Sequence, residues 1–347
     1  MSAETSTALL RLYRQFVRLV DKLPGGLHRP IINELEPIRE LFLEQRTAYI
    51  ELVGSSSITV PALLAAIGES TIHTGEAVDG WRDYSNTTGS RIRILDARSG
   101  VPSAHITQAL AHRKPDLVIF LQDSEPIQAD WENSITRACA AASPVIAVSP
   151  ETVFQSRLAA LIQSSHALRD TISIVLSPSD PVFPESICAA LPRPAQLEFA
   201  RFTNARRAQA LIASSLLKSF SAICGVIGLQ PIPLADLPVL TTLQGLMVGL
   251  IIHTTGRPVS VRLIAEFLGA LGFSTAAGFL FRETTRAVVR IVPFWGNAIS
   301  GFIAGAGTYA IGRAAIAYFI DDSPIQETRR IFRSMLQKRS SSPTPLP

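Results

Sequence analysis

Leu9, Leu12, Phe16, Val20 and Leu23 recur at the spacing of one helix face, and Arg11, Arg14, Arg18 and Lys22 fill the complementary face. The pattern predicts a basic amphipathic helix. Such a helix either packs on a neighbour with its charges in water or lies in a membrane interface. Leu23-Pro-Gly-Gly26 ends it, and a second helical stretch over 31–44 completes an N-terminal helical region, 1–45. From Ala48 the period changes. Short β-rich apolar runs at 49–53, 92–95, 117–121, 145–148 and 172–176 alternate with helical patterns, which predicts a parallel α/β sheet over 46–190. The proline-rich stretch 181–194 marks its boundary.

Beyond that boundary long apolar helices take over, in a domain spanning 205–320. Residues 208–229 carry only Lys218, 237–256 and 267–281 carry no charge, and 291–320 carry only Arg313. About 20 apolar residues of helix cross a bilayer core, so these runs predict a membrane-associated all-α domain. An all-helical soluble domain with Gly/Ala-rich buried helices has a similar composition. Pro231, Pro233 and Pro238 set a rigid turn around Asp236, which serves either as a helix cap or as an intramembrane acid. Gly301 and Gly305, with Ala304, Thr308 and Gly312, place small residues four apart and predict close helix approach, including self-association through those faces. Arg313 near one end of its run can snorkel. The tail, 321–347, is basic and amphipathic to Arg339.

Charge sharpens the contrast between the halves. Charged residues make up only 17% of the chain, against about 25% in ordinary soluble proteins. Residues 1–200 hold 17 Lys/Arg against 22 Asp/Glu, and residues 201–347 hold 15 against 6. The arginines of the basic half flank apolar runs and form no single stripe, which favours an anionic membrane surface over nucleic acid. Cys139, Cys188 and Cys224 are widely spaced among apolar neighbours, so no disulfide framework or zinc site is expected. His73, His105, His112 and His166 lack metal-ligand spacing. The N-terminus shows no secretory signal pattern, so the protein is expected on the cytoplasmic side of the inner or plasma membrane.

Arg46-Thr-Ala-Tyr-Ile-Glu-Leu-Val-Gly54 followed by Pro61-Ala-Leu-Leu-Ala-Ala-Ile-Gly68 resembles the first strand, loop and helix of an Era-like small GTPase. The resemblance implies a P-loop NTPase fold over 46–190, but the chemistry has been lost. A phosphate loop needs glycine, lysine and a hydroxyl at its last three positions, where the lysine reaches the outer phosphates and the hydroxyl holds Mg²⁺. Here those positions are Thr59, Val60 and Pro61, after Gly54. Asp96 in Leu95-Asp-Ala-Arg-Ser99 matches the switch aspartate of the family, although its glycine is displaced to Gly100. Thr87 or Thr88 is the nominal counterpart of the metal-contacting threonine. Ser149-Pro-Glu-Thr152 stands where the guanine-reading Asn-Lys-x-Asp belongs, and Ser177-Pro178 only echoes the last motif. Asp123 and Glu125 read as loop carboxylates.

Gly228-Leu-Gln-Pro-Ile-Pro-Leu-Ala-Asp236 and Gly307-Thr-Tyr-Ala-Ile-Gly-Arg313 resemble the family called domain of unknown function 697, a helical membrane-linked module that follows GTPase domains in bacterial proteins. Together the two resemblances imply a pseudo-GTPase with no catalytic residue, metal or cofactor, acting as an adaptor, scaffold or regulator. Its expected partners are membrane lipid and an unidentified protein. The competing readings are an atypical NTPase built on Ser55–Ser57 and Asp96, and a structural or transport subunit of the membrane.

Overall fold

In the computed structural model the described residues are 25–68, 72–98, 103–123, 143–149, 172–228, 236–272 and 296–340, with isolated positions between 155 and 163. The amphipathic pattern at 9–23, the prolines at 231 and 233, and most of 267–295 therefore lie outside them. Two compact units emerge, one of Glu40–Gln209 and one of Met1–Arg39 with Ala210–Pro347. Helix α1 (Gly25–Phe42) runs from one into the other.

The front unit holds a mixed seven-stranded sheet in the order β2-β3-β4-β1-β5-β6-β7. Its strands are β1 (Ala48–Ser55), β2 (Ile72–Val78), β3 (Trp81–Asn86), β4 (Arg91–Asp96), β5 (Leu117–Gln122), β6 (Val145–Val148) and β7 (Ile172–Leu176). β1 pairs in parallel with β4 on one side and β5 on the other, and β6 and β7 continue the parallel part. All five expected strands are present. The added pair is the antiparallel hairpin β2–β3, which joins β4 antiparallel. Its two-residue turn, Asp79-Gly80, has both φ angles positive (52° and 83°), the geometry that lets a tight turn follow the strand twist.

Central strands are covered on both faces, as parallel sheets require. Along β1, Ala48, Ile50 and Leu52 are buried on one face and Glu51 and Val53 on the other. Val53 joins Trp81, Leu95, Val118 and Phe120 beneath Ile106 and Ala109 of helix α3 (Ser103–His112), which follows helix α2 (Val60–Ile67) in the chain. The proline-rich stretch lies inside the front unit, which runs to Gln209. It carries helix α4 (Phe183–Ala190) and the start of helix α5 (Arg193–Thr203), with prolines in their first turns, where the missing N–H costs nothing. α5 packs against β4, β1 and β3 and closes the front unit.

The second unit is helical: α6 (Arg206–Gly228, entering from the front unit), α7 (Asp236–Thr254), α8 (Val261–Ala270), α9 (Gly296–Phe319) and α10 (Ile325–Ser340). α7 is buried along its last three turns and α9 along most of its C-terminal half, as helices apolar on every side should be. Buried Thr308 of α9 receives a hydrogen bond from Gln244 of α7 at 3.2 Å.

Candidate functional site

In an open α/β sheet, ligands bind beyond the carboxyl ends of the strands where the strand order reverses. Here that point lies after β1, whose two neighbours, β4 and β5, follow on opposite sides. The connection from β1 to α2 crosses it and contains the residues singled out as a degenerate phosphate loop. Gly54 sits at φ 100°, and a Cβ there would stand 2.3 Å from the carbonyl oxygen of Leu121. The glycine is thus required by the approach of β1 to β5, whatever the loop binds. Thr59 caps α2, its Oγ1 accepting from the Ala62 N–H at 3.3 Å. Val60 is buried at 8% exposure in the first turn, and Pro61 beside it has no N–H to offer.

Three of the loop's donors are already engaged by a carboxylate of the same chain. Asp123, one residue beyond β5, accepts hydrogen bonds from Ser56 Oγ at 2.9 Å, Ser57 N at 2.7 Å and Ser57 Oγ at 2.7 Å, all on Oδ2. Burial pushes its pKa up, but the bonds from Ser57 and Ser56 outweigh burial and hold it below the ordinary carboxylate value.

The nearby cation is likewise engaged. Arg98 donates to both oxygens of Asp96 at 2.7 Å, a bidentate pair, and its Nη1 also donates to the carbonyls of Ser56, at 3.3 Å, and Ile58. Burial raises the Asp96 pKa, yet the Arg98 bonds and charge win, and the carboxyl ionises below its usual range. The Arg98 guanidinium is correspondingly raised, first by its hydrogen bonds to Asp96. Together the two acids and one base tie the β1–α2 loop to the ends of β4 and β5.

The other singled-out residues are dispersed. Thr87 and Thr88 lie in the β3–β4 turn, at the N-terminal end of β4 and so at the opposite end of the sheet from the loop. Thr88 donates to Asn86 Oδ1 at 2.8 Å, while Asn86 Nδ2 donates to the carbonyls of Arg201 and Phe202 at 2.9 and 3.0 Å. This corrects the nominal metal role: the turn lies at the end of the sheet opposite the loop, and Thr88 is tied to Asn86 there. Ser149 is buried at the end of β6, and Ser177 begins a turn closed by Asp180 N–H on its carbonyl. Pro150–Thr152, Gly100 and Glu125 lie outside the described residues. Among the described residues, no three His, Cys, Asp or Glu side chains gather as a metal site.

In the helical unit, Asp236 is the first residue of α7 and Gly301 lies within α9. A Cβ on Gly305 would stand 3.0 Å from the Ser221 carbonyl oxygen of α6, and one on Gly312 would stand 2.3 Å from Leu217 Cδ1. Arg313 is half-buried and carries no ion pair among the described residues. Among the described residues one helix, Arg206–Gly228, is long and apolar enough to cross a membrane by length and composition, and half of its apolar window is buried inside the protein. Arg98 and Asp123 were not recognised as partners from the sequence. The only local signal was the position of Arg98 two residues after Asp96.

No protein-family model and no curated protein matches this chain.

Proposed function

We propose that the front unit is a small-GTPase fold from which nucleotide chemistry has been removed, and that the protein acts as a non-catalytic, membrane-associated adaptor, scaffold or regulator. The observation that carries this reading is the carboxylate of Asp123 seated on the β1–α2 loop donors. An incoming phosphate would have to displace it and then sit beside its charge. Two unit charges roughly 4 Å apart repel by about 1 kcal/mol in water and about 4 kcal/mol at a protein surface. A triphosphate brings several such charges. The loop has no lysine to offset them, and Arg98, its nearest cation, is held by Asp96.

The strand order around β1 and the position of the loop support descent from a P-loop fold. The Asp96–Arg98–Asp123 cluster then serves stability, keeping rigid a face that once switched. The basic helix α10 supports the membrane half of the reading. The test is to purify the full chain without added nucleotide, denature it, chromatograph the supernatant and, in parallel, follow GTP turnover. The reading expects no stoichiometric GTP or GDP and no phosphate release above buffer. Bound guanine nucleotide at near one per chain would reject it.

A further inference from the structure

The helical unit presents two kinds of surface. α7 and the C-terminal half of α9 are covered by protein, while the exposed positions of the other helices are mixed, Val261 of α8 and Ile303 of α9 lying beside charged ones. On α6 the exposed positions in the second and third turns and beyond are Ser215, Lys218 and Ala222. On α8, Arg262 and Glu266 are exposed and paired with each other at 2.7 Å. Lys218, Arg262 and Glu266 on these exposed faces would be costly in hydrocarbon, which argues against embedding the faces in lipid. On α10, Thr328 and Phe332 face inward, at 0% and 7% exposure, while Arg329, Arg330 and Arg333 are exposed. At about 100° per residue, the three arginines fall within roughly a 100° arc of the helix. Arg329 also donates from Nε to the Ala270 carbonyl at the end of α8, which fixes α10 against α8. Arg330 and Arg333 make no ion pair among the described residues, and Glu327 is the only acid on the helix.

We infer that the exposed arginine arc of α10 is the membrane-contacting surface, and that it holds the protein on anionic lipid headgroups from outside the bilayer. The inference rests on the membrane-associated reading and specifies its mode: peripheral and electrostatic. Charge complementarity selects the occupant. Among the described residues no acid pairs with the arc, which lies on a fixed helix and suits a flat negative surface rather than an apolar groove. A juxtamembrane Lys or Arg strengthens binding to an anionic surface by roughly 5-fold.

The experiment is sedimentation of the full chain with vesicles of phosphatidylcholine alone and of phosphatidylcholine and phosphatidylglycerol in equal parts, for the wild type and for the double variant Arg330→Gln/Arg333→Gln. Neither arginine has a partner to lose among the described residues, and an unchanged thermal melt confirms folding. The wild type is expected to sediment only with the anionic vesicles and to be released as ionic strength rises past the point where the Debye length falls to roughly 10 Å. The double variant is expected to bind roughly 25-fold more weakly. Equal binding to neutral vesicles, or a double variant that binds like the wild type, overturns the inference. So does tighter binding to a short DNA duplex in the same buffer, which would assign the arc to nucleic acid. Cell fractionation separates the two levels. If wild type and variant pellet equally with membranes, the peripheral mode is lost while the membrane reading stands; a protein absent from the membrane pellet removes both.

Discussion

A matched series of glycine substitutions on α9 tests how the helical unit is held together. Replacing a mid-helix glycine by alanine ordinarily gains about 1 kcal/mol, because the unfolded chain loses freedom and the helix gains propensity. At Gly307 nothing lies within 4 Å of an added Cβ, so Gly307→Ala should show that gain. At Gly312 the new carbon would meet Leu217 Cδ1 at 2.3 Å and the Met247 sulfur and methyl at 3.2 Å. Leu217 and Met247 are 2% and 0% exposed, so neither side chain can swing into water. Overpacking of this kind costs about 1–3 kcal/mol, which leaves a net loss of up to about 2 kcal/mol after the propensity gain. At Gly305 the obstacle is backbone, the Ser221 carbonyl oxygen at 3.0 Å and the Gly225 Cα at 3.5 Å. Gly305→Ala should therefore come out near neutral to about 1 kcal/mol destabilising, and Gly305→Leu, which forces α6 and α9 apart, should lose more than about 3 kcal/mol. Scanning calorimetry on the full chain reads these as shifts of about 2–4 °C per kcal/mol for a unit of this size. The expected order is Gly307→Ala above wild type, with Gly312→Ala and Gly305→Leu progressively below. Should Gly312→Ala and Gly305→Ala melt as high as Gly307→Ala, the close-approach argument would be refuted.

Other consequences concern the front unit. Removing the carboxylate in Asp123→Ala frees three donors near the surface and should destabilise the unit by about 1–2 kcal/mol, read as a fall in urea midpoint at unchanged slope; no change would show that the latch carries no energy. Because Asp96 and Asp123 both ionise below the ordinary carboxylate value of 3.8, their stabilisation is fully present above that pH and drains as pH falls below it. The wild type should therefore lose more stability than the double variant Asp96→Asn/Asp123→Asn on acidification through that range, and parallel curves would contradict the assignment. Asp116, 9% exposed, accepts from Arg46 Nη2 at 2.6 Å and from the Tyr49 N–H at 3.0 Å, so Asp116→Ala should cost about 2 kcal/mol in urea denaturation at neutral pH, less than a fully buried pair because Arg46 is one-third exposed. Burial pushes the Cys188 thiol up to about 12, so it should react with maleimide only as fast as the unit opens; prompt labelling of the folded protein would contradict that burial.

The parts of the fold legible in the sequence were those where one rule dominates. β5 and β6 are near-continuous apolar runs because both sheet faces are covered there, and all five parallel strands were recognisable to within a few residues. The hairpin β2–β3 escaped notice because β2 is an exposed edge, carrying His73, Thr74 and Glu76 where a half-buried strand would alternate. Asp79-Gly80 was its one strong local sign. Residues 181–194 read as a domain boundary because proline breaks helices in their interiors, whereas here it starts two of them. At the site, the losses at Thr59, Val60 and Pro61 could be counted along the chain. What replaces them could not. Asp123 meets Ser57 across 66 residues, and its pairing follows only from β1 and β5 lying side by side. Glu51 is fully buried in the centre of β1 and reads in sequence as one polar letter within an apolar strand.

The central claim is that the β1–α2 loop no longer accepts a nucleotide because a carboxylate of the chain itself holds its donors. Isothermal titration of the full chain with GTP, GDP and ATP in the presence of Mg²⁺ addresses it directly. The account predicts no saturable heat with any of the three at concentrations well above micromolar. Saturable GTP binding at micromolar or tighter affinity would contradict it, since the nucleotide would then have displaced Asp123 or found a site built from other residues.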